Sequence, residues 1–228
     1  MNDGTAVMSD KFAMTEVAQD ISRDLSLPAP SYGPGGTGAQ IRYVAMDSDL
    51  GVLLVAGTSA GVCSLWMANE EKSLVDSLRR QFPNADVAPA GPSDAHVRRW
   101  ARAALDVTRC RADERAVPLD VTGTPFQRQV WKALREIPRG RTRSYSEIAS
   151  AIGRPSACRA AAGACGANPV GLLIPCHRVI REDGGLGGFA AGIERKKLLL
   201  ERESAHSPKL PENITTQPDE SSLFSFAR

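Results

Sequence analysis

The sequence has no run of about 18 apolar residues, the length that a membrane-spanning helix needs. No membrane span is therefore expected in a chain of 228 residues with 24% charged side chains. The start, Met1-Asn2-Asp3-Gly4, has no basic stretch followed by an apolar block, which argues against a secretory leader. Asn213-Ile214-Thr215 matches a glycosylation acceptor, but without an export signal the match carries no weight. Cysteine is sparse: there are five. No CxxC pair occurs, and Cys158, Cys165 and Cys176 are separated by seven and eleven residues, so the usual zinc spacing is missing. An odd number of cysteines in no disulfide-like pattern points to reduced thiols in a cytoplasmic setting. Neither a metal nor a cofactor is expected.

Net charge is also small, +2 at pH 7, but its distribution is uneven. Between Val121 and Glu203 there are 14 Lys and Arg against 7 Asp and Glu, so this segment carries 14 minus 7, or +7. Such a surface suits a polyanionic partner. A merely solvated basic face is the bland alternative.

Residues 1–40 open with an amphipathic pattern, Phe12, Val17, Ile21 and Leu25, followed by a Pro/Gly stretch from Pro28 to Gly38 that reads as a linker. Gly33-Pro-Gly35-Gly-Thr-Gly38 formally matches the dinucleotide pattern GxGxxG. No apolar strand precedes it, so the match is empty. From Ile41 the pattern changes to short apolar runs, Tyr43–Met46, Gly51–Ala56 and Val62–Trp66, with turns at Asp47–Asp49 and Ser59–Gly61. An antiparallel meander follows from this. Leu74, Leu78 and Phe82 predict a helix ending before Pro83, and Val97, Trp100, Ala101 and Leu105 predict another. Val117–Val121 could add a strand. Residues 41–121 show no convergent chemistry and read as a scaffold domain.

The next segment, 122–204, is better punctuated. Thr124 can cap a helix with Pro125 at its first position and an apolar stripe of Phe126, Val130, Trp131, Leu134 and Ile137. Ser144-Tyr-Ser-Glu147 is a capping box opening a short helix that Gly153 would end. Ser156 can then cap an alanine-rich helix running towards Gly166. Two short helices joined by a tight turn resemble a helix-turn-helix. The small side chains of the second allow close approach to another surface or packing against a core. Arg159 is its only base-reading type of side chain, so contact with DNA would be shallow and sequence-tolerant.

Ile174-Pro175-Cys176-His177-Arg178-Val179 sets a thiol beside an imidazole and a guanidinium. A thiol reacts as its thiolate, which neighbouring cations and bases favour, making Cys176 the candidate nucleophile. Leu172–Pro175 reads as a buried strand leading to it. Adjacent strand residues face opposite ways, so His177 can serve Cys176 only if the chain turns there. A Cys-His peptidase usually draws its histidine from a distant segment, whereas His96 and His206 lie in a scaffold helix and near the tail. Cys63, Cys110, Cys158 and Cys165 read as packing residues.

Taken in order, Gly123-Thr-Pro-Phe-Gln127 to Trp131, Ser144-Tyr145, Arg159, Ala167-Asn168-Pro169, Ile174–Val179 and Gly184–Gly192 resemble the O6-alkylguanine-DNA alkyltransferases, also called methylated-DNA:protein-cysteine methyltransferases. The likeness extends back to about Ile41 and is greatest to the branch formed by the C-terminal half of the bacterial adaptive-response protein Ada. It implies an α/β fold of α+β type, with a ribonuclease H-like antiparallel sheet-plus-helices domain at 41–121 and a winged-helix-like domain with the helix-turn-helix at 122–204. Residues 1–40 would be an extension and linker, and 205–228 a disordered tail. Ada's zinc-bearing cysteine cluster and AraC-like domain have no counterpart here, so phosphotriester repair and methylation-triggered transcription are not expected.

The resemblance implies single-turnover transfer of an alkyl group from O6-alkylguanine, and by extension O4-alkylthymine, in double-stranded DNA to Cys176. Family members flip the damaged base out of the stack, where its reacting atom is otherwise inaccessible. By the same resemblance His177 is the base, acting through a water, and Glu203 orients it. Asn168 ties the helix-turn-helix to the active-site segment. Tyr145 hydrogen-bonds the departing guanine, and Arg159 fills the space it vacates, with the second helix in the minor groove. Backbone groups at Val179 and in the glycine segment read the base. Phe189 stands where relatives often carry tyrosine; its ring can still stack on the base, but it has no hydroxyl to hydrogen-bond with. A monomer, cytoplasmic and nucleoid-associated when on DNA, is expected. The alternatives are a lesion-binding module without transfer, which would lack the cysteine, and a helix-turn-helix regulator, which would carry more base-reading side chains.

Overall fold

A computed structural model describes residues 27–206. The Phe12–Leu25 pattern, Asn213 and residues 207–228 lie outside the described residues. The fold is mixed α/β, with a small sheet and six α-helices among the described residues. None of these helices is long and apolar enough to cross a membrane.

The apolar runs form the expected meander: β1 (Gln40–Ser48), β2 (Gly51–Gly57) and β3 (Val62–Ala68) are successive antiparallel neighbours. A fourth strand, β4 (Asp86–Pro89), adds in parallel to β1, giving the order β3-β2-β1-β4 and leaving β3 at one edge. Val117–Val121 adds only a bridge, Val62 to Leu119.

Alternate residues of these strands serve two cores. One face, with Ile41, Tyr43, Leu54 and Cys63, packs on helix α1 (Glu71–Gln81) through Leu74, Val75 and Leu78. The other face, with Leu53, Val55, Leu65 and Met67, packs on helix α2 (Ala95–Thr108). That second core continues without a break through Val130, Trp131, Leu134, Leu173, Ile174 and Val179.

The Pro/Gly stretch differs from a free linker. Ser31 donates to Asp120 Oδ1 from its amide (2.8 Å), and Tyr32 is buried edge-on to Phe82 at 5.7 Å. Burial of Leu27 and Tyr32 offsets the cost of ordering the segment. Within it, Pro34–Gly36 is a short 3₁₀ turn that leads into β1, not a strand-to-helix turn, as a dinucleotide loop would require.

Helix α3 (Pro125–Arg135) and helix α4 (Tyr145–Ala151) begin as their capping boxes predict. Thr124 Oγ1 accepts from Gln127 N (3.2 Å) and Ser144 Oγ from Glu147 N (3.1 Å), with both reciprocal bonds present. Gly153, at φ 72°, turns the chain after α4. Helix α5 (Cys158–Gly166) starts after a 3₁₀ turn at Pro155–Ala157, and no side chain caps it, so Ser156 is not the cap that its residue type suggests. A tryptophan fixes α5: Trp131 Nε1 donates to Ala164 O at 2.8 Å. The two-residue strands β5 (Arg143–Ser144) and β6 (Val179–Ile180) pair in parallel. Helix α6 (Ile193–His206) runs two residues into the segment expected to be a tail.

Candidate active site

Leu172–Pro175 is buried but is not a strand. Leu172 takes φ 82°, and Ile174 N returns to Val170 O (3.1 Å), so the segment is a tight turn. Just before it, Leu65 N donates to Pro169 O (2.9 Å), docking the edge of β3 against the turn. Cys176–Arg178 then forms one 3₁₀ turn, as a shared Cys-His role requires.

Asn168 organises this turn. Its Nδ2 donates to Ile174 O (2.8 Å) and to Cys176 Sγ (3.2 Å), while its Oδ1 accepts from Val170 N (3.1 Å). The residue is 1% exposed and stands two residues after α5, so a single side chain near the end of that helix bonds both the turn and the sulfur.

His177 is fully buried, with Nε2 2.9 Å from Glu203 Oε1. Burial pushes the imidazole below its ordinary value, and the bond to Glu203 only partly opposes this. Burial also pushes the Glu203 carboxyl up, but hydrogen bonds from His177 and Arg178 more than offset this and hold it down to about 2. An ionised carboxylate can only accept, so the proton sits on Nε2 and Nδ1 keeps its lone pair. That Nδ1 is buried and has no hydrogen-bond partner among the described residues.

Arg178 does not serve the thiol, although it is two residues away. Its guanidinium is 1% exposed, binds Glu203 through Nε and Nη2 (2.9 Å each), and reaches Glu114 Oε1 (2.6 Å) and Ile137 O (2.8 Å). Glu203 therefore accepts from His177 and Arg178, and also from Gly140 N at 3.3 Å.

The cation that acts on Cys176 is one that the sequence does not single out. Lys196 is 0% exposed, and its ammonium donates to Val179 O and Leu186 O. Burial pushes the Cys176 thiol up, with the Asn168 bond and the Lys196 charge pulling the other way. Burial likewise pulls Lys196 down, opposed by its attraction to Cys176 and Cys165. The only sequence signal for Lys196 is its register on α6, one helical face from Glu203.

Cys176 opens on a cavity of about 420 Å³ that Tyr145, Phe189 and Trp66 also line. Phe189 lies edge-on to His177 at 6.3 Å, and burial pushes the Tyr145 phenol up, so it stays a donor. Gly187, at φ 66°, lets the glycine loop cross Tyr145, since a Cβ there would sit 3.1 Å from the phenol oxygen.

Two of the four residues expected to bind the substrate do not line this cavity. Val179 is buried behind it, with its amide on Cys176 O and its carbonyl held by Lys196. Arg159 is exposed on α5. That helix buries Ala161, Ala164 and Cys165 and leaves Gly163 and Gly166 facing open space, so the packing and close-approach readings each describe one face. No group of residues suited to a metal occurs among the described residues.

A methylated-DNA–protein-cysteine methyltransferase of Mycobacterium bovis is 42% identical over 168 residues, covering 74% of this chain and 95% of that protein. The chain belongs to the methylated-DNA–protein-cysteine methyltransferases. The family model for the DNA-binding domain of 6-O-methylguanine DNA methyltransferase matches residues 125–205. The bifunctional transcriptional activator/DNA repair enzyme Ada of Escherichia coli is 41% identical over 185 residues, 81% of this chain. The chain spans about half the length of that relative, 51%. Among solved structures, the Mycobacterium tuberculosis O6-methylguanine methyltransferase aligns with a TM-score of 0.59 at 37% identity, over 75% of this chain and 96% of that one. The same enzyme in complex with DNA aligns with a TM-score of 0.59 at 38% identity, over 74% and 96%. The Cys176–Arg178 turn, the His177–Glu203 pair, and Tyr145 and Phe189 at the cavity all fall within the matched residues 125–205.

Proposed function

We propose that this methyltransferase repairs DNA by transferring the alkyl group of O6-alkylguanine, and by the same chemistry of O4-alkylthymine, irreversibly to Cys176. The observation that carries the reading is the placement of Cys176 Sγ, held by Asn168 at 3.2 Å, at a cavity it shares with Tyr145 and Phe189, with the buried His177–Glu203 pair adjoining.

His177 Nδ1 takes the thiol proton through a water, and Glu203 stabilises the imidazolium that results. The thiolate attacks the alkyl carbon in line, the carbon–O6 bond breaks, and its electron pair passes into the purine ring. Tyr145 donates to the ring as it leaves, and the base recovers a proton to end as guanine. The product is a thioether with no comparable leaving route, so each molecule acts once. The elevated thiol suits this use: Cys176 rests protonated and is activated as the desolvated site is filled.

DNA meets the open face of α5 in the minor groove. Arg159 enters the space left by the flipped base. Phe189 stacks on the base, and backbone groups of the glycine segment read it. We read residues 41–121 as a ribonuclease H-like unit and 122–204 as a winged-helix-like unit, acting as a monomer in the cytoplasm and on the nucleoid.

Intact mass after incubation with an O6-methylguanine duplex tests the reading. A gain of one methylene, mapped to Cys176 with stoichiometry near one, is expected, and Cys176→Ala should abolish transfer while keeping DNA binding. Turnover in excess DNA would overturn it.

A further inference from the structure

The meander reads from sequence as scaffold alone, yet it sends one side chain into the active-site cavity. Trp66 lies on β3, the edge strand, opposite Leu54 of β2. Its neighbour Leu65 turns into the core shared with the second half of the chain and donates its amide to Pro169 O at 2.9 Å. Strand alternation therefore sends Trp66 to the other side of β3. There its ring packs partly against the α1-side core and partly along the cavity on which Cys176 opens.

The other two tryptophans are committed elsewhere. Trp131 is 1% exposed and bonded to Ala164 O, and Trp100 is 8% exposed and edge-on to His96. Trp66 is half-buried. On the remaining wall stand Ala162, Cys165, Gly166, Gly188 and Ala190, none with a side chain larger than a thiol. The free width of the cavity is thus set by Tyr145, Phe189 and Trp66. Tyr145 and Phe189 have roles towards the base, which leaves Trp66 as the large wall without one.

We propose that Trp66 sets the size of alkyl group that can reach Cys176, so that the N-terminal sheet contributes a specificity-determining residue to the transfer site. The inference rests on the alkyl-transfer reading above. An indole wall limits the volume beside the sulfur; small groups pass and bulky ones meet the ring. Selectivity between substrates that differ only in such bulk comes from this kind of steric rejection.

The test compares single-turnover rate constants for duplexes carrying O6-methylguanine or O6-benzylguanine, in the wild type, Trp66→Ala and Trp66→Phe. The benzyl-to-methyl ratio should rise at least about tenfold in Trp66→Ala, the lower end of the discrimination available to an apolar pocket. It should rise by a smaller factor in Trp66→Phe, which keeps a ring against the α1-side core and so secures a folded variant. An unchanged ratio in a folded variant, or an equal fall of both rates, overturns the proposal. Failure of the wild type to transfer even methyl would instead overturn the reading on which it rests.

Discussion

His177 and Glu203 come from turns of chain 26 residues apart, and meet at 2.9 Å in a site from which both are excluded from solvent. The carboxylate is shared: it also takes two bonds from Arg178, which carries a second acid, Glu114, on its far side. The 3₁₀ turn at Glu114–Ala116, in the first half of the chain, is thereby tied electrostatically to the reacting turn. Replacing Glu203 with Gln leaves the shape but removes the charge that fixes the histidine tautomer. Transfer should slow by about 10² or more, the usual scale of general-base assistance, while DNA affinity stays within about twofold. Single-turnover rates beside a binding isotherm check this.

The same pair makes stability acid-sensitive. His177 is depressed in the folded state, so its contribution is present above its ordinary value of 6.5 and is lost as pH falls and the unfolded chain takes up the proton. Glu203, held at about 2 against an ordinary 4.5, contributes on the order of 3 kcal/mol that is present above pH 4.5 and disappears between there and pH 2. Melting temperature should therefore decline from pH 7 to pH 5 and more steeply below 4.5. In Glu203→Gln the steep lower part should flatten. Calorimetry across this range decides, and a flat wild-type profile would contradict the assignment.

Lys196 supplies a prediction about rate and pH together. Its charge opposes the upward push of burial on Cys176, so Lys196→Met should raise the thiol further and move the rising limb of the transfer–pH profile to higher pH. Lys196→Arg keeps the charge but not the compact ammonium that reaches two carbonyls, and should restore part of the shift. A uniform loss of rate at all pH values in Lys196→Met would mean that the residue only braces Val179 and the glycine loop.

What can be read in the sequence is what local chemistry determines. The capping boxes at Thr124 and Ser144, the turn at Gly153 and the three apolar runs of the meander need only neighbours within a few residues, and each forms where expected. The residues proposed for the transfer site are named from family resemblance, because a lone Glu203 in a charged helix has no local signal. Its burial depends on Arg178 and His177 arriving from elsewhere. For the same reason Arg178 resembles an activator of Cys176 in sequence, where Glu114 and Glu203 are too distant to be seen around it. Leu172–Pro175 resembles a strand in its apolarity, but apolar composition specifies burial, not backbone path. The path is set by Asn168, which bonds both sides of the segment and so holds Leu172 at its positive φ.

Helix α5 offers the clearest separation of folding from DNA contact. A Cβ added at Gly163 or Gly166 meets nothing within 4 Å, so neither glycine is required by packing. Gly163→Ala should keep or raise thermal stability, since alanine is favoured over glycine in a helix by about 0.5–1 kcal/mol. If this face lies against DNA, Gly163→Leu should weaken binding to an alkylated duplex without lowering the melting temperature. Arg159→Ala should weaken it too, and reduce the slope of log affinity against log salt by about one if Arg159 neutralises a phosphate. Reaction with the free base O6-methylguanine needs no duplex and should be unchanged in both variants. Loss of the free-base reaction along with DNA binding would place Arg159 and Gly163 in the chemistry or the fold. Loss of DNA binding alone assigns the face to the duplex.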